Sequence, residues 1–126
     1  MNKVGVGLLG CGRIAPKHLL ALKENSERAE LIGLYDPKEE SLHEKGEAYE
    51  ELTGEVVKLF SSDEALIQDE RVNLVVIATE SGYHGKLALR ALEAGKHVLI
   101  EKPMALSLEE IDAINKMADD KGLVVA

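Results

Sequence analysis

The sequence is poor in aromatic residues and in cysteine, and each shortage narrows the kind of protein it encodes. It has no Trp, one Phe and three Tyr, so aromatic residues make up only 3% of the chain. A core must therefore be built from Leu, Val, Ile and Ala, which is the composition of buried parallel strands. The single Cys11 cannot form an internal disulfide, and this favours a reducing, cytoplasmic setting.

Basic residues and long apolar runs are also scarce. With 15 basic and 23 acidic residues the formal net charge is -8, which predicts repulsion from phosphate backbones and anionic lipid. We therefore expect neither nucleic acid nor a membrane surface as a partner. No apolar run approaches membrane-spanning length and no signal-peptide pattern opens the sequence. A length of 126 residues fits one domain with a real core.

Short β-branched segments alternate with segments of helical periodicity along the whole chain. Helices are predicted to end at Gly54, Gly95 and Gly122, and Ser107 with Glu110 forms a capping box before the last one. Strands are predicted at residues 4–9, 31–35, 56–60, 74–78, 97–100 and 123–125. Strands separated by helices run parallel with right-handed crossovers, which predicts a doubly wound parallel α/β sheet, a single Rossmann-type domain over residues 1–126. Ligands of such sheets bind at the carboxyl ends of the strands, where the strand order reverses.

The turn after the first predicted strand carries a dinucleotide-binding pattern. Residues 10–15 read Gly-Cys-Gly-Arg-Ile-Ala and match G-x-G-x-x-[GA] between a strand and a helix. The first glycine permits the tight turn, the second lets the backbone approach a pyrophosphate, and the small third residue allows close helix packing. An ordinary glycine turn is the alternative, and Cys11 is interpreted as a small filler. The residues assigned here to cofactor binding are Gly10, Gly12, Arg13 and Ile14.

Asp36 stands at the end of the second predicted strand, where an acid accepts hydrogen bonds from the adenosine ribose and favours NAD over NADP. A 2′-phosphate would face this carboxylate, at a cost of roughly 1 kcal/mol per unit-charge pair in water and roughly 4 kcal/mol at a surface-like dielectric. The alternative is that Asp36 only caps a helix beginning at Pro37. Lys38 is close enough to soften the preference for NAD.

Two further segments follow the fourth and fifth predicted strands. Small and hydrogen-bonding residues after the fourth strand suit contact with a nicotinamide ribose, although a plain loop would look the same. The lysine after the fifth strand either projects into the crevice or faces solvent, and His84 is either structural or catalytic. The four histidines show no metal-ligand spacing, so no metal site is predicted. The candidate residues are Ala78, Thr79, Glu80, His84, Glu101 and Lys102.

Together these residues resemble the N-terminal domain of the glucose-fructose oxidoreductase, inositol dehydrogenase and rhizopine-catabolism family, known as Gfo/Idh/MocA. The resemblance covers the whole chain, and its most specific part is Ala-Gly-Lys-His-Val-Leu-Ile-Glu-Lys-Pro at residues 94–103. It implies NAD as the cofactor, with NADP second. It also implies that Lys102 acts beside the nicotinamide and the substrate hydroxyl, while Glu101 holds the local geometry.

The implied reaction is hydride transfer between NAD and a secondary alcohol of a sugar, cyclitol or nucleotide sugar. The family continues into a substrate-binding domain that often mediates homo-oligomerisation, and this chain has no counterpart of it. By that implication the chain binds cofactor but turns over little alone. Glu80-Ser81 departs from the commoner Pro-Asn, and the Ser-Gly-x-His form is similar to members that oxidise nucleotide-linked amino sugars. The alternative function is an NAD(P)-sensing regulatory module without catalysis.

Overall fold

A five-stranded parallel sheet forms the centre of the molecule. The computed structural model describes residues 3–79, 83–101 and 107–126. The strand order is β3-β2-β1-β4-β5 and each neighbouring pair is parallel. The strands are β1 (Val4–Leu9), β2 (Ala29–Tyr35), β3 (Lys58–Leu59), β4 (Leu74–Ile77) and β5 (His97–Ile100). The order reverses beside β1, because the chain runs outward through β2 and β3 on one side and through β4 and β5 on the other. The predicted doubly wound Rossmann fold is therefore confirmed.

Within the described residues, five helices cover the two faces of this sheet. They are α1 (Ala15–Glu24), α2 (Glu39–Thr53), α3 (Asp63–Gln68), α4 (His84–Glu93) and α5 (Leu108–Lys121). Buried side chains of α1 and α2 pack in one apolar cluster, and those of α3, α4 and α5 pack in a second. None of the helices in the described part of the chain is long and apolar enough to cross a bilayer.

The helix boundaries follow the sequence signals closely. Gly54 and Gly122 are the C-caps of α2 and α5, and Gly95 comes directly after the C-cap of α4. The predicted capping box is present: Ser107 Oγ accepts from the Glu110 N–H, and the Glu110 carboxylate accepts from the Ser107 N–H. Helices α2, α4 and α5 therefore end at or beside a glycine, and α5 also begins where side chains satisfy its first backbone N–H groups.

The structure differs from the prediction mainly at the two edges of the sheet. Only residues 58–59 of the predicted third strand pair with β2, and Val56 is 80% exposed. At the opposite edge the predicted sixth strand is a single parallel bridge between Val98 and Val125. An edge segment has one neighbour instead of two, so fewer hydrogen bonds oppose its departure from the sheet.

A buried lysine joins the amino-terminal ends of β4 and β5. Lys96 is only 9% exposed, and its Nζ donates to the carbonyl oxygens of Asp69 at 2.9 Å and Val72 at 2.6 Å. Its charge is thus satisfied by backbone dipoles on the side of the sheet opposite the strand ends that matter for ligands. Lys96 belongs to the framework and lies outside the candidate site.

Candidate functional site

A crevice of about 740 Å³ opens at the carboxyl ends of the strands, at the point where the strand order reverses. This is where a doubly wound sheet binds its ligand. Four of the predicted cofactor residues line it: Gly12, Asp36, Ala78 and Thr79. Apolar contributions from Leu9 and Leu87 form part of its wall. The topology has thus brought together residues that are up to 81 positions apart in the sequence, from Leu9 to Arg90.

The turn between β1 and α1 depends on two glycines with different surroundings. Gly10 has φ of 106°, and a Cβ placed there would lie 2.5 Å from the carbonyl oxygen of Ala78. Its N–H donates to the Tyr35 carbonyl at 2.8 Å. A Cβ on Gly12 would meet no described atom within 4 Å. Gly10 is therefore required by the fold itself, whereas Gly12 leaves open space facing the crevice.

The N-terminus of α1 presents an unsatisfied positive end to that space. The N-cap residue Ile14 makes no side-chain cap bond, and the first turn contains no acid. Within the described residues, the N–H groups of Gly12, Arg13 and Ile14 donate to no acceptor. Helices α2, α3 and α5 all carry acids in their first turns, but α1 and α4 do not. Free N–H groups and a helix dipole at one point form an anion-binding site.

Asp36 is fixed by two backbone hydrogen bonds at the other side of the turn. Its Oδ2 accepts from the Cys11 N–H at 2.8 Å and its Oδ1 accepts from the Lys38 N–H at 2.8 Å. Because α2 begins at Glu39 with Lys38 as its N-cap, Asp36 does not cap a helix that starts at Pro37. A carboxylate has about four lone-pair sites, so both oxygens can still accept from a ligand hydroxyl.

Cations surround the crevice although the chain as a whole is acidic. Lys38, Lys86 and Arg90 line it, and Arg90 is paired with Asp63 and Glu64 of α3. Neither Lys38 nor Lys86 forms an ion pair with a described residue. Among the described lining residues, three cations stand against the carboxylates of Asp36 and Asp63, and with the open end of α1 this positive balance favours an anionic ligand.

A family model described as an oxidoreductase family with an NAD-binding Rossmann fold matches residues 4–126. The chain belongs to the Gfo/Idh/MocA family. It is 30% identical over 125 residues to the NAD⁺-dependent scyllo-inositol 2-dehydrogenase of Bacillus subtilis, covering 98% of this chain and 34% of that protein. The chain thus spans about a third of the length of this curated relative. The match agrees with an NAD-binding oxidoreductase domain.

Solved structures of family relatives include enzymes with either nicotinamide cofactor. The WlbA dehydrogenase of Bordetella pertussis, in complex with NADH and UDP-GlcNAcA, superposes with a TM-score of 0.83 at 35% identity, covering 98% of this chain and 36% of that one. Biliverdin reductase of Synechocystis sp. PCC 6803, in complex with biliverdin and NADP⁺, has a TM-score of 0.79 at 31% identity, covering 97% and 36%. Proteins that resemble this Gfo/Idh/MocA chain in sequence and fold therefore include both NAD and NADP users.

Not every predicted site residue lines the crevice. Arg13 is exposed and Ile14 half-buried in the turn, and Gly10 lies buried beneath it. His84 is 1% exposed, and its Nε2 lies 2.7 Å from the carbonyl oxygen of Thr79. That contact places the ring against the Thr79 backbone, as a support for it.

Glu101 follows β5 directly, and its side chain contacts His18 of α1. Glu80 and Lys102 lie outside the described residues, so their placement stays a prediction.

Sequence reasoning missed several residues that line the crevice. Tyr83 is 60% exposed at its edge, and Ser41 and Lys86 also contribute. The helical pattern assigns Lys86 and Arg90 to a solvent-facing side of α4, and only the tertiary arrangement turns that side toward the crevice. The absence of an acid in the first turn of α4 was the one signal available in the sequence.

Cys11 is buried in the centre of the glycine turn. It is 1% exposed, and burial, followed by the charge of Asp36, raises the pKa of its thiol to about 12. A thiol with such a pKa is neutral at physiological pH and unreactive as a nucleophile. The described residues contain no group of three or more His, Cys, Asp or Glu side chains placed to hold a metal ion.

Proposed function

We propose that this chain binds NAD(H) in the crevice and forms the cofactor half of a dehydrogenase. The proposed reaction is hydride transfer between the nicotinamide and a secondary alcohol of a sugar, cyclitol or nucleotide sugar. The observation that carries the proposal is the open space at Gly12 beside the unsatisfied N-terminus of α1. Such a site fits a pyrophosphate, because the backbone N–H groups there have no competing acid.

The proposed cofactor lies with its adenosine half toward Asp36 and its nicotinamide half toward the ends of β4 and β5. Asp36 is held by the N–H groups of Cys11 and Lys38 and would accept from the ribose hydroxyls. Arg13 and Ile14 would supply contacts at the turn. Ala78, Thr79 and Glu80 would contact the nicotinamide ribose, with His84 holding Thr79 from behind.

We propose NAD as the preferred cofactor. A 2′-phosphate on the adenosine ribose would lie against the Asp36 carboxylate, and the repulsion of about 1 kcal/mol per charge pair in water corresponds to roughly a fivefold loss of affinity. Lys38, whose ammonium has no described ion-pair partner, would recover part of that loss. A preference for NADH without absolute exclusion of NADPH follows.

Lys102 is proposed as the catalytic residue, on the strength of the family resemblance and of its position directly after Glu101. When bound, the nicotinamide accepts or supplies the hydride. The Lys102 ammonium would stabilise the alkoxide character that develops on the substrate oxygen. Glu101, which directly follows β5, would hold in place the next segment, which carries Lys102.

Calorimetric titration of the purified chain with NADH and, separately, NADPH tests the cofactor assignment. We expect NADH to bind more tightly than NADPH, by up to about fivefold once Lys38 has offset part of the repulsion. Asp36→Asn keeps the shape and one acceptor oxygen but removes the charge, so it should narrow this ratio. Lys38→Ala should weaken NADPH more than NADH, while Glu40→Gln on the exposed first turn of α2 serves as the matched control.

Three results would contradict the proposal in different ways. Tighter binding of NADPH than of NADH would show that Lys38, and not Asp36, determines which cofactor the site prefers. If the ratio of the NADPH and NADH dissociation constants were unchanged in Asp36→Asn, the role of Asp36 would be to hold the turn and not to select the cofactor. If neither cofactor bound the folded chain, this crevice would not be a cofactor-binding site.

A further inference from the structure

A group of ion pairs joins α3 to α4 at the wall of the crevice. The guanidinium Nη2 of Arg90 donates to Asp63 Oδ1 at 3.0 Å and also donates to the Glu64 carboxylate. Arg90 and Asp63 are among the residues that line the crevice, whereas Glu64 lines a separate depression between α3 and α4. The Asp63 carboxylate is therefore held at the crevice wall by a hydrogen bond from another helix.

Asp63 keeps an acceptor oxygen that the described fold does not use. Ser62 is the N-cap of α3, and its Oγ accepts from the Ala65 N–H, so the Asp63 carboxylate does not act as the cap. Within the described residues, Asp63 Oδ1 accepts from Arg90 and Oδ2 accepts from no donor. The side chain is 37% exposed, so a ligand can reach this oxygen without breaking an internal hydrogen bond.

The place of Asp63 in the fold limits which part of a dinucleotide it can meet. Asp36 directly follows β2, and Asp63 begins the helix that follows β3, the strand that pairs with β2. Both acids thus lie on the side of β1 opposite to β4 and β5, toward which the nicotinamide is proposed to lie. The base is bonded to the ribose assigned to Asp36, so it is the base that reaches Asp63.

The lining of the crevice has the chemistry that a purine base requires. Pro37 and Leu87 provide apolar surface for the faces of the ring, and Asp63 provides an acceptor for its edge. Asp36 and Asp63 are the two carboxylates among the described lining residues, and Asp36 is assigned to the ribose. An ionised carboxylate can only accept, so it requires a donor on the base. The exocyclic amine of adenine is such a donor.

We propose that Asp63 is a specificity-determining residue, whose free carboxylate oxygen accepts a hydrogen bond from the exocyclic amine of the adenine. This inference rests on the proposed cofactor function, which it deepens. Hypoxanthine carries a carbonyl oxygen in place of that amine, and the lone pairs of this oxygen would face the Asp63 carboxylate. The site should therefore discriminate between these two bases when the rest of the dinucleotide is identical.

Calorimetry with NADH and with reduced nicotinamide hypoxanthine dinucleotide tests this discrimination. We expect the wild-type chain to bind NADH at least about fivefold more tightly, since a hydrogen bond to a charged group is lost with hypoxanthine. In Asp63→Asn, Arg90 can still donate to the side-chain oxygen, which leaves the amide nitrogen in the place of Oδ2. That nitrogen donates to the hypoxanthine carbonyl and opposes the adenine amine, so the preference should disappear or invert.

Glu64→Gln is the matched control for Asp63→Asn. It removes one negative charge from the adjacent residue and from the same group of ion pairs, but Glu64 does not line the crevice. The ratio of the two dissociation constants should stay within about twofold of the wild-type value, because an exposed ion pair contributes little. The comparison thus separates a hydrogen bond to the base from a general effect of charge.

Equal wild-type affinities for the two dinucleotides would overturn the inference, and this measurement needs no substitution. An unchanged ratio in a folded Asp63→Asn protein would also overturn it. The same holds for an equal change in Glu64→Gln, which would assign the effect to charge alone. If the wild-type chain bound neither dinucleotide, the proposed function itself would have failed. Failure of the present inference alone leaves the binding of NADH intact.

Discussion

Gly10 and Gly12 are two residues apart, yet the structure gives them opposite requirements. Gly10→Ala places a methyl group 2.5 Å from the Ala78 carbonyl oxygen at a backbone φ of 106°. We expect Gly10→Ala to lower the free energy of unfolding by more than about 1 kcal/mol, because the backbone strain alone costs about 1–3 kcal/mol. Urea denaturation followed by circular dichroism measures this.

Gly12→Ala should instead separate binding from folding. Its Cβ meets no described atom, and its φ is not positive, so stability should change by less than about 0.5 kcal/mol. A methyl group in the space assigned to the pyrophosphate should weaken NADH by about tenfold or more in calorimetry, or about 1.4 kcal/mol. Unchanged NADH affinity in a stable Gly12→Ala protein would place the ligand elsewhere.

The buried thiol of Cys11 makes stability depend on alkaline pH. The pKa of Cys11 rises from 9.0 in the free thiol to about 12 in the folded chain, mainly through burial. A group whose pKa is higher in the folded state contributes its full stabilisation below pH 9, and this is lost as the pH rises toward 12. We expect the free energy of unfolding to fall more steeply between these values in the wild type than in Cys11→Ala.

A chemical measurement checks the same property of Cys11 independently. Iodoacetamide near pH 8 should label the thiol slowly in the folded chain and rapidly in urea, as followed by mass spectrometry. Rapid labelling of the folded protein, or identical pH slopes for the wild type and Cys11→Ala, would show that the thiol is accessible and its pKa unperturbed.

At the scale of helices and strands, the elements that the sequence predicts best are those with strong local signals. The capping box of Ser107 and Glu110 and the terminal Gly122 define α5 from the sequence alone. The third and sixth predicted strands are wrong in extent, because an edge strand is set by how much partner backbone is available. Only Lys58 and Leu59 pair with β2, and the sequence of residues 56–60 contains no pattern that indicates this short extent.

The same distinction holds in the candidate site, where residues within a local pattern are predictable from the sequence and residues placed by tertiary packing are not. The motif positions Gly12 and Asp36 are recognisable because each lies within a short, local pattern that follows a strand. Tyr83 and Lys86 carry no such pattern, and they reach their positions only when α4 packs on the sheet. Asp36 itself holds the Cys11 N–H 25 residues away, a bond that spacing alone does not reveal.

At the scale of the whole molecule, β1 joins the two apolar clusters into one cooperative unit. Leu8 and Leu9 are both fully buried, and they point to opposite faces: Leu8 packs with the cluster under α1 and α2, Leu9 with the cluster under α3, α4 and α5. Since β1 also pairs with both β2 and β4, neither face can unfold while the other keeps its central strand.

Substitution of either leucine should therefore destabilise both faces. We expect Leu8→Ala and Leu9→Ala each to lower the free energy of unfolding by about 2–5 kcal/mol in urea titrations. Hydrogen exchange followed by mass spectrometry should show faster exchange in α2 and in α5 for both variants, because a single transition exposes them together. If Leu8→Ala accelerated exchange in α2 alone, the two clusters would be separate folding units. The crevice where they meet would then require the cofactor to hold its two sides together.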